Sequence, residues 1–195
     1  MEVSDAAAVA LARTGDGDAF RVLVDRHGRK LFRLAFRLAG NEEDAEDIVQ
    51  ETFLRAYRNL DKFDERALFT SWLFRIASNY SLDLLRMRKM RTAQSLSSDD
   101  GEGHPMTEKI ASEDPNPERL MFSGQMRERI AGAMDELTPQ ERVAFTLRHF
   151  EGCTIDEISE TLKISANATK HAVFRAVQKM RKALHPMEGE KAWRT

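Results

Sequence analysis

The chain has a single cysteine, Cys153, in 195 residues. It can form no intramolecular disulfide and no multi-cysteine zinc site. Cys153 follows Gly152, read as a helix C-cap, and serves as a small structural residue. No run approaches the roughly 20 apolar residues of a membrane span, and the acidic start MEVSD has neither the charge nor the apolar core of a secretory signal. Cytoplasmic residence without direct membrane insertion is expected. Catalytic patterns are missing too: there is no glycine-rich phosphate loop, no HExxH, no GxSxG and no cysteine–histidine pair. His27, His104, His149, His171 and His185 are scattered without metal-ligand spacing. The chain is expected to be no enzyme and to need neither metal nor cofactor.

Period-two alternation is also lacking, and the apolar residues that make up much of the 42% hydrophobic content recur at helical spacing. An all-α protein is expected, with room for two small helical domains. The first runs over residues 1–91, with helices near 5–14, 17–39, 42–59 and 70–91. Gly40 is a helix stop, and Asn41 followed by Glu42 and Glu43 a helix start. Residues 92–116, TAQSLSSDDGEGHPMTEKIASEDPN, are poor in large apolar side chains and read as a flexible linker. The second domain spans 117–185, and 186–195 is a short tail. Asn116 caps a helix with Pro117 in its first turn, whose apolar stripe is Leu120, Met121, Met126, Ile130, Ala133 and Leu137. Thr138-Pro139-Gln140-Glu141 is a capping box for the next helix, ending near Gly152.

The net charge of -2 would by itself argue against nucleic-acid binding. Its distribution points the other way. From Thr161 to Met187 there is no carboxylate, while Lys163, Lys170, Arg175, Lys179, Arg181 and Lys182 are basic. From Glu42 to Glu51 the pattern inverts, with six carboxylates and no cation. Such segregation suits two partners, one polyanionic and one basic.

Thr154 to Leu184 reads as a helix-turn-helix. Thr154 and Glu157 form a capping box before Ile155, Ile158 and Leu162, and Ser165 caps a second helix after Lys163 and Ile164. Val173, Ala176, Val177, Met180 and Leu184 make its apolar stripe. Lys170, His171, Phe174, Arg175 and Gln178 lie opposite, where a recognition helix meets a major groove. Lys170 and Arg175 donate to guanine edges or phosphates, and Phe174 can touch a thymine methyl or pack on the preceding helix.

From Asn59 to Arg91, Phe63, Phe69, Trp72, Phe74 and Tyr80 lie among cations, ending in Arg86, Arg88, Lys89 and Arg91. Rings for unstacked bases and cations for phosphates suit single-stranded DNA. Trp72, Leu73, Ile76, Tyr80 and Leu84 also approximate a buried stripe, so most of these aromatics belong to the core and the 59–68 loop is the better place for base contact. Between Asp44 and Arg58, Ala45, Ile48, Val49, Thr52 and Ala56 face inward. Asp44, Asp47, Gln50, Glu51 and Leu54 face outward, an acidic surface suited to a basic protein.

DAEDIVQETFLRAYRNLDKF with FTSWLFRIASN resembles region 2 of the extracytoplasmic-function sigma factors of the sigma-70 family. ELTPQERVAFTLRHFEGCTIDEISETLKIS with VFRAVQKMRKAL resembles their region 4. The resemblance implies a specificity subunit of bacterial RNA polymerase that binds the beta-prime clamp and beta flap of the core enzyme and recognises promoter DNA at the -10 and -35 elements, under control of an anti-sigma factor. By position, Asp44, Asp47, Gln50 and Glu51 match the polymerase-binding helix. Leu60, Asp61, Lys62 and Phe63 match the loop that captures a flipped -10 base, Asn79 a reader of the neighbouring base, and Arg86 and Arg88 further -10 contacts. Lys170, His171, Phe174 and Arg175 match the -35 reading positions. Asp64-Glu65 stands where many members have Arg-Gly after the loop phenylalanine. His171 for Ser and Ala172 for Arg are expected to alter -35 contacts. Two rivals remain: a dimeric helix-turn-helix regulator binding an operator without polymerase, and a small all-α enzyme using the 42–51 carboxylates.

Overall fold

A computed structural model describes residues 3–95 and 117–184. Among them there are eight α-helices, one 3-10 turn and no strand. The chain divides into two compact units, Met1–Gly101 and Glu102–Thr195.

The first unit holds α1 (Asp5–Arg13), α2 (Gly17–Ala39), α3 (Glu42–Arg58), the 3-10 turn Leu60–Lys62 and α4 (Phe69–Ser95). Helix boundaries follow local chemistry. Ser4, Asp16 and Asn41 each accept a backbone N–H in the first turn they cap, which satisfies donors that have no intrahelical partner. Gly40 ends α2 in the left-handed region, at φ 86°, where glycine carries no steric penalty. α2 packs on α1, α3 and α4, and α3 also packs on α4. Leu23, Leu31, Leu34 and Leu38 of α2, with Ile48 and Leu73, are fully buried, each contributing about 1.5–3 kcal/mol. The expected helices appear within a residue or two, although α4 runs to Ser95, into the first residues expected to be linker.

The second unit holds α5 (Pro117–Asp135), α6 (Pro139–His149), α7 (Ile155–Leu162) and α8 (Ala166–Leu184). α8 is central, packing on α5, α6 and α7. Ala133, Met134, Leu137, Ala176 and Met180 form one buried cluster. Both capping boxes are present, Thr138 with Glu141 and Thr154 with Glu157. Three expectations are corrected. α6 stops at His149, and Gly152 lies in the following loop with φ 71° instead of capping the helix. Ile130 is exposed, because α5 turns that position outward. The core face of α8 is Thr169, Ala172, Ala176 and Met180, with Val173 and Val177 only half-buried at its margin. The expected linker beyond Ser95, the Asn116 cap, the tail, and the side chains of Leu120 and Met121 lie outside the described residues.

Candidate functional site

In the second unit Lys163, at φ 54°, ends α7 in the left-handed conformation, and Ser165 Oγ accepts the Ala168 N–H at 3.2 Å to begin α8. These two local events fix the turn between the helices. Small residues at 172 and 176 let α7 and α6 close on α8. Lys170, His171, Phe174, Arg175 and Gln178 all come out on the exposed side, with Phe174 60% exposed. Phe174 is therefore not packed into the core. Ala172 is 1% exposed, which corrects the expectation that its replacement of Arg alters -35 contacts directly: at 100° per residue it lies on the core face.

Arg175 is exposed but not unpartnered. Its Nε donates to Glu141 Oε1 at 2.9 Å, and Lys179 Nζ donates to Glu141 Oε2 at 2.7 Å. The same Oε2 accepts the Thr138 N–H at 3.0 Å. Burial would raise the Glu141 pKa, but the Lys179 ammonium, the Thr138 amide and the Arg175 guanidinium outweigh it and lower it to about 2. One buried carboxylate of α6 thus orients two cations of α8.

In the first unit, Asp47 and Gln50 of α3 are exposed with Leu54 beside them. Asp44 departs from the expected outward placement. Its side chain is 14% exposed, accepts from Asn41 Nδ2 at 2.8 Å and pairs with Arg88 of α4. Arg88 accordingly ties α4 to the start of α3. Glu51 is half-buried and accepts from Arg55 Nε at 2.6 Å.

The -10 candidates separate in the same way. Leu60 and Phe63 are buried, at 3% and 6% exposure, and Phe63 sits with Phe69 and Trp72 at ring separations of 5.2–5.7 Å. Both side chains face inward in this structure, Phe63 within the aromatic cluster, and they anchor the loop instead of standing on its surface as expected. Asp61 and Lys62 between them are exposed. Beside them opens a cleft of about 300 Å³, lined by Arg55, Asn59, Lys62, Trp72, Arg75, Ile76 and Asn79. Three cations, two amides and no carboxylate line it, and Arg55 lies over the Tyr80 ring at 4.8 Å. Asn79 donates to the Arg75 carbonyl at 2.8 Å, which leaves its amide oxygen available. Arg86 is exposed and lies 3.8 Å from Asp83. In the loop, Arg66 holds the Asp64 carboxyl at about 2.

The Sigma-70 region 2 model matches residues 23–91, and the Sigma-70 region 4 model matches residues 127–180. Thus the surface around the cationic cleft and the α7–α8 pair each fall in a matched region. The ECF RNA polymerase sigma factor SigW of Bacillus subtilis is 32% identical over 96% of this chain and 100% of its own length. The chain belongs to the extracytoplasmic-function RNA polymerase sigma factors. SigE of Mycolicibacterium smegmatis is 34% identical over 87% of this chain but only 63% of its own length, so this sigma factor spans under two thirds of that relative. The solved structure of CnrH in complex with the cytosolic domain of CnrY is similar, with 27% identity, 93% and 97% of the two chains covered and a TM-score of 0.63. RpoE of Bartonella quintana, at 20% identity and a TM-score of 0.63, shares the fold.

Several residues of this sigma factor that matter in three dimensions have no sequence motif of their own. Arg55 and Arg75 lie on different helices and both line the cleft. Glu141 was legible as a cap, but its hold on Arg175, 34 residues away, requires the packing of α6 on α8. No helix among the described residues is long and apolar enough to cross a membrane.

Proposed function

We propose that this sigma factor engages core RNA polymerase through the exposed edge of α3 and reads a promoter with two separate surfaces. Asp47 and Gln50, with Glu51 supporting from behind, face a basic surface of the beta-prime clamp, and region 4 meets the beta flap. Asp61 and Lys62 present a flipped -10 base to the cleft, where Asn79 reads its neighbour and Arg55, Arg75 and Arg86 follow the phosphates. Lys170, His171, Phe174 and Arg175 enter the -35 major groove. Residues 92–116 link the domain at 1–91 to that at 117–185. The factor acts in the cytoplasm and catalyses nothing itself, since nucleotidyl transfer belongs to the polymerase. An anti-sigma partner that covers the same surfaces controls it, as the complexes of CnrH and of the Bartonella RpoE suggest.

The observation that carries this reading is the carboxylate-free cleft beside exposed Lys62 in one unit, together with an acid-free recognition helix in the other. A lone helix-turn-helix regulator has no use for the first. Transcription from a genomic template library with core polymerase is the test. The proposal expects initiation at a shared pair of elements; polymerase-independent binding to a palindrome, with no initiation, would favour the regulator instead.

A further inference from the structure

Arg13, the last residue of α1, directs all three guanidinium nitrogens at the loop between α3 and α4. Nε donates to the Leu60 carbonyl at 3.1 Å, Nη2 to the Phe63 carbonyl and Nη1 to the Glu65 carboxylate. The two carbonyls bracket Asp61 and Lys62; the Leu60 carbonyl also accepts the Phe63 N–H that closes the 3-10 turn, at 3.1 Å, so Arg13 clamps a turn that is already formed. A planar fork fixes the distance between its acceptors, which the point charge of a lysine cannot do. The Arg13 side chain is 24% exposed, so water competes only weakly for these bonds.

The other end of α1 reaches the far side of the same loop. His27 Nε2 lies 2.9 Å from Asp5 Oδ2, and His27 Nδ1 lies 3.2 Å from Thr70 Oγ1 in the first turn of α4. A carboxylate only accepts, so Nε2 donates to Asp5, and the other ring nitrogen is joined to the Thr70 hydroxyl. Asp5 is also paired with Arg26, which fixes the carboxylate. α1 lies before residue 23, where the region 2 match begins.

We propose that α1 is a brace for the single-strand-reading loop and that Arg13 is a positioning residue for base capture. This rests on the reading of Asp61 and Lys62 as the presenting residues of the -10 loop. Arg13 touches no DNA; it sets the separation of Leu60 and Phe63, and so the direction in which the two residues between them face.

The test uses full-length protein with core polymerase and a fluorescent single-stranded oligonucleotide carrying a -10 element defined by transcription. Arg13→Ala and Arg13→Lys are both expected to weaken capture about tenfold, with faster hydrogen exchange at the 61–68 amides. Affinity for core polymerase and for -35 duplex is expected to change by less than about twofold, as is capture by Glu65→Gln, which keeps both carbonyl bonds. Lys62→Ala, measured alongside, is expected to weaken capture. If Lys62→Ala does so while Arg13→Ala leaves capture unchanged, or Arg13→Lys restores it fully, the brace is overturned and the loop reading stands. A loss of core affinity in step with capture in Arg13→Ala would also overturn the brace, as general destabilisation. If Lys62→Ala has no effect, the loop is not the reader and both proposals fall.

Discussion

Glu141 Oε1 accepts from Arg175 Nε at 2.9 Å, joining a glutamate that is 2% exposed to the exposed face of the recognition helix. A carboxylate inside the domain thereby limits how far a cation on the exposed side of α8 can swing. It also neutralises part of the charge of α8, because Lys179 shares it. Breaking a buried ion pair by removing one partner is costly, although both cations here are half in water.

Glu141→Gln is accordingly expected to cost the second unit about 2 kcal/mol and to loosen specificity. Its two released cations should raise affinity for random duplex and steepen the salt dependence, by up to about one unit of slope per cation. Binding titrations on matched and random duplexes at two salt concentrations check this. Equal loss on both duplexes would place Glu141 in folding alone.

The pH dependence has a definite sign. The folded pKa of Glu141 is lowered from 4.5 to about 2, so its contribution is fully present above pH 4.5 and is lost as pH falls towards 2. Thermal unfolding of the 117–185 domain is expected to show a falling midpoint across that window. In Glu141→Gln the slope should be shallower.

On α8, neighbouring positions are expected to behave in opposite ways. Lys170→Ala should weaken -35 binding by about 1–3 kcal/mol if the ammonium reads a base, or lower the salt slope by about one if it holds a phosphate. His171→Ser should change the preferred -35 sequence. Ala172→Ser, on the buried face, should leave binding within about twofold and show its effect in thermal stability. Affinities for a panel of -35 variants separate the three.

The contrast between 171 and 172 shows where sequence was sufficient and where it was not. Caps, stops and amphipathic phase are local, so Asn41, Gly40, Thr138, Thr154 and Ser165 marked helix boundaries directly, and the all-α fold with its helix-turn-helix followed. The exposed side of α8, and Asp47, Gln50 and Leu54 on α3, were legible from the same periodicity. Phase alone placed the stripe of α8 one residue off, because Thr169 and Ala172 are small or polar and carry little hydrophobic signal, yet both are buried. Leu60 and Phe63 resembled base contacts by position, but both are buried, and the Phe69 and Trp72 rings that pack on Phe63 lie in the following helix. Asp44 and Arg88 are 44 residues apart, and only the packing of α3 on α4 makes them a pair. At Cys153 the backbone N–H donates to the Leu147 carbonyl at 3.0 Å and the carbonyl accepts from Arg148, contacts that no motif announces.

The proposed polymerase face of α3 is expected to divide into residues with one role and residues with two. Asp47→Ala with Gln50→Ala is expected to lower core polymerase affinity at least about tenfold, the scale of losing a central polar contact pair, without changing oligonucleotide capture. Glu51→Ala should impair both, since Glu51 orients Arg55 and Arg55 lines the cleft. Core-binding and capture assays on the same preparations distinguish them. Equal behaviour of the two variants would mean that Glu51 does not transmit to the cleft.

The most direct measurement is abortive initiation by core RNA polymerase with and without the protein, on a genomic template library, with the start sites sequenced. The expected result is factor-dependent initiation at sites sharing one -10 and one -35 element. Lys62→Ala should lose melting but retain duplex binding, and Lys170→Ala should do the reverse. Absence of factor-dependent initiation on every template would contradict the assignment of these two surfaces to a promoter.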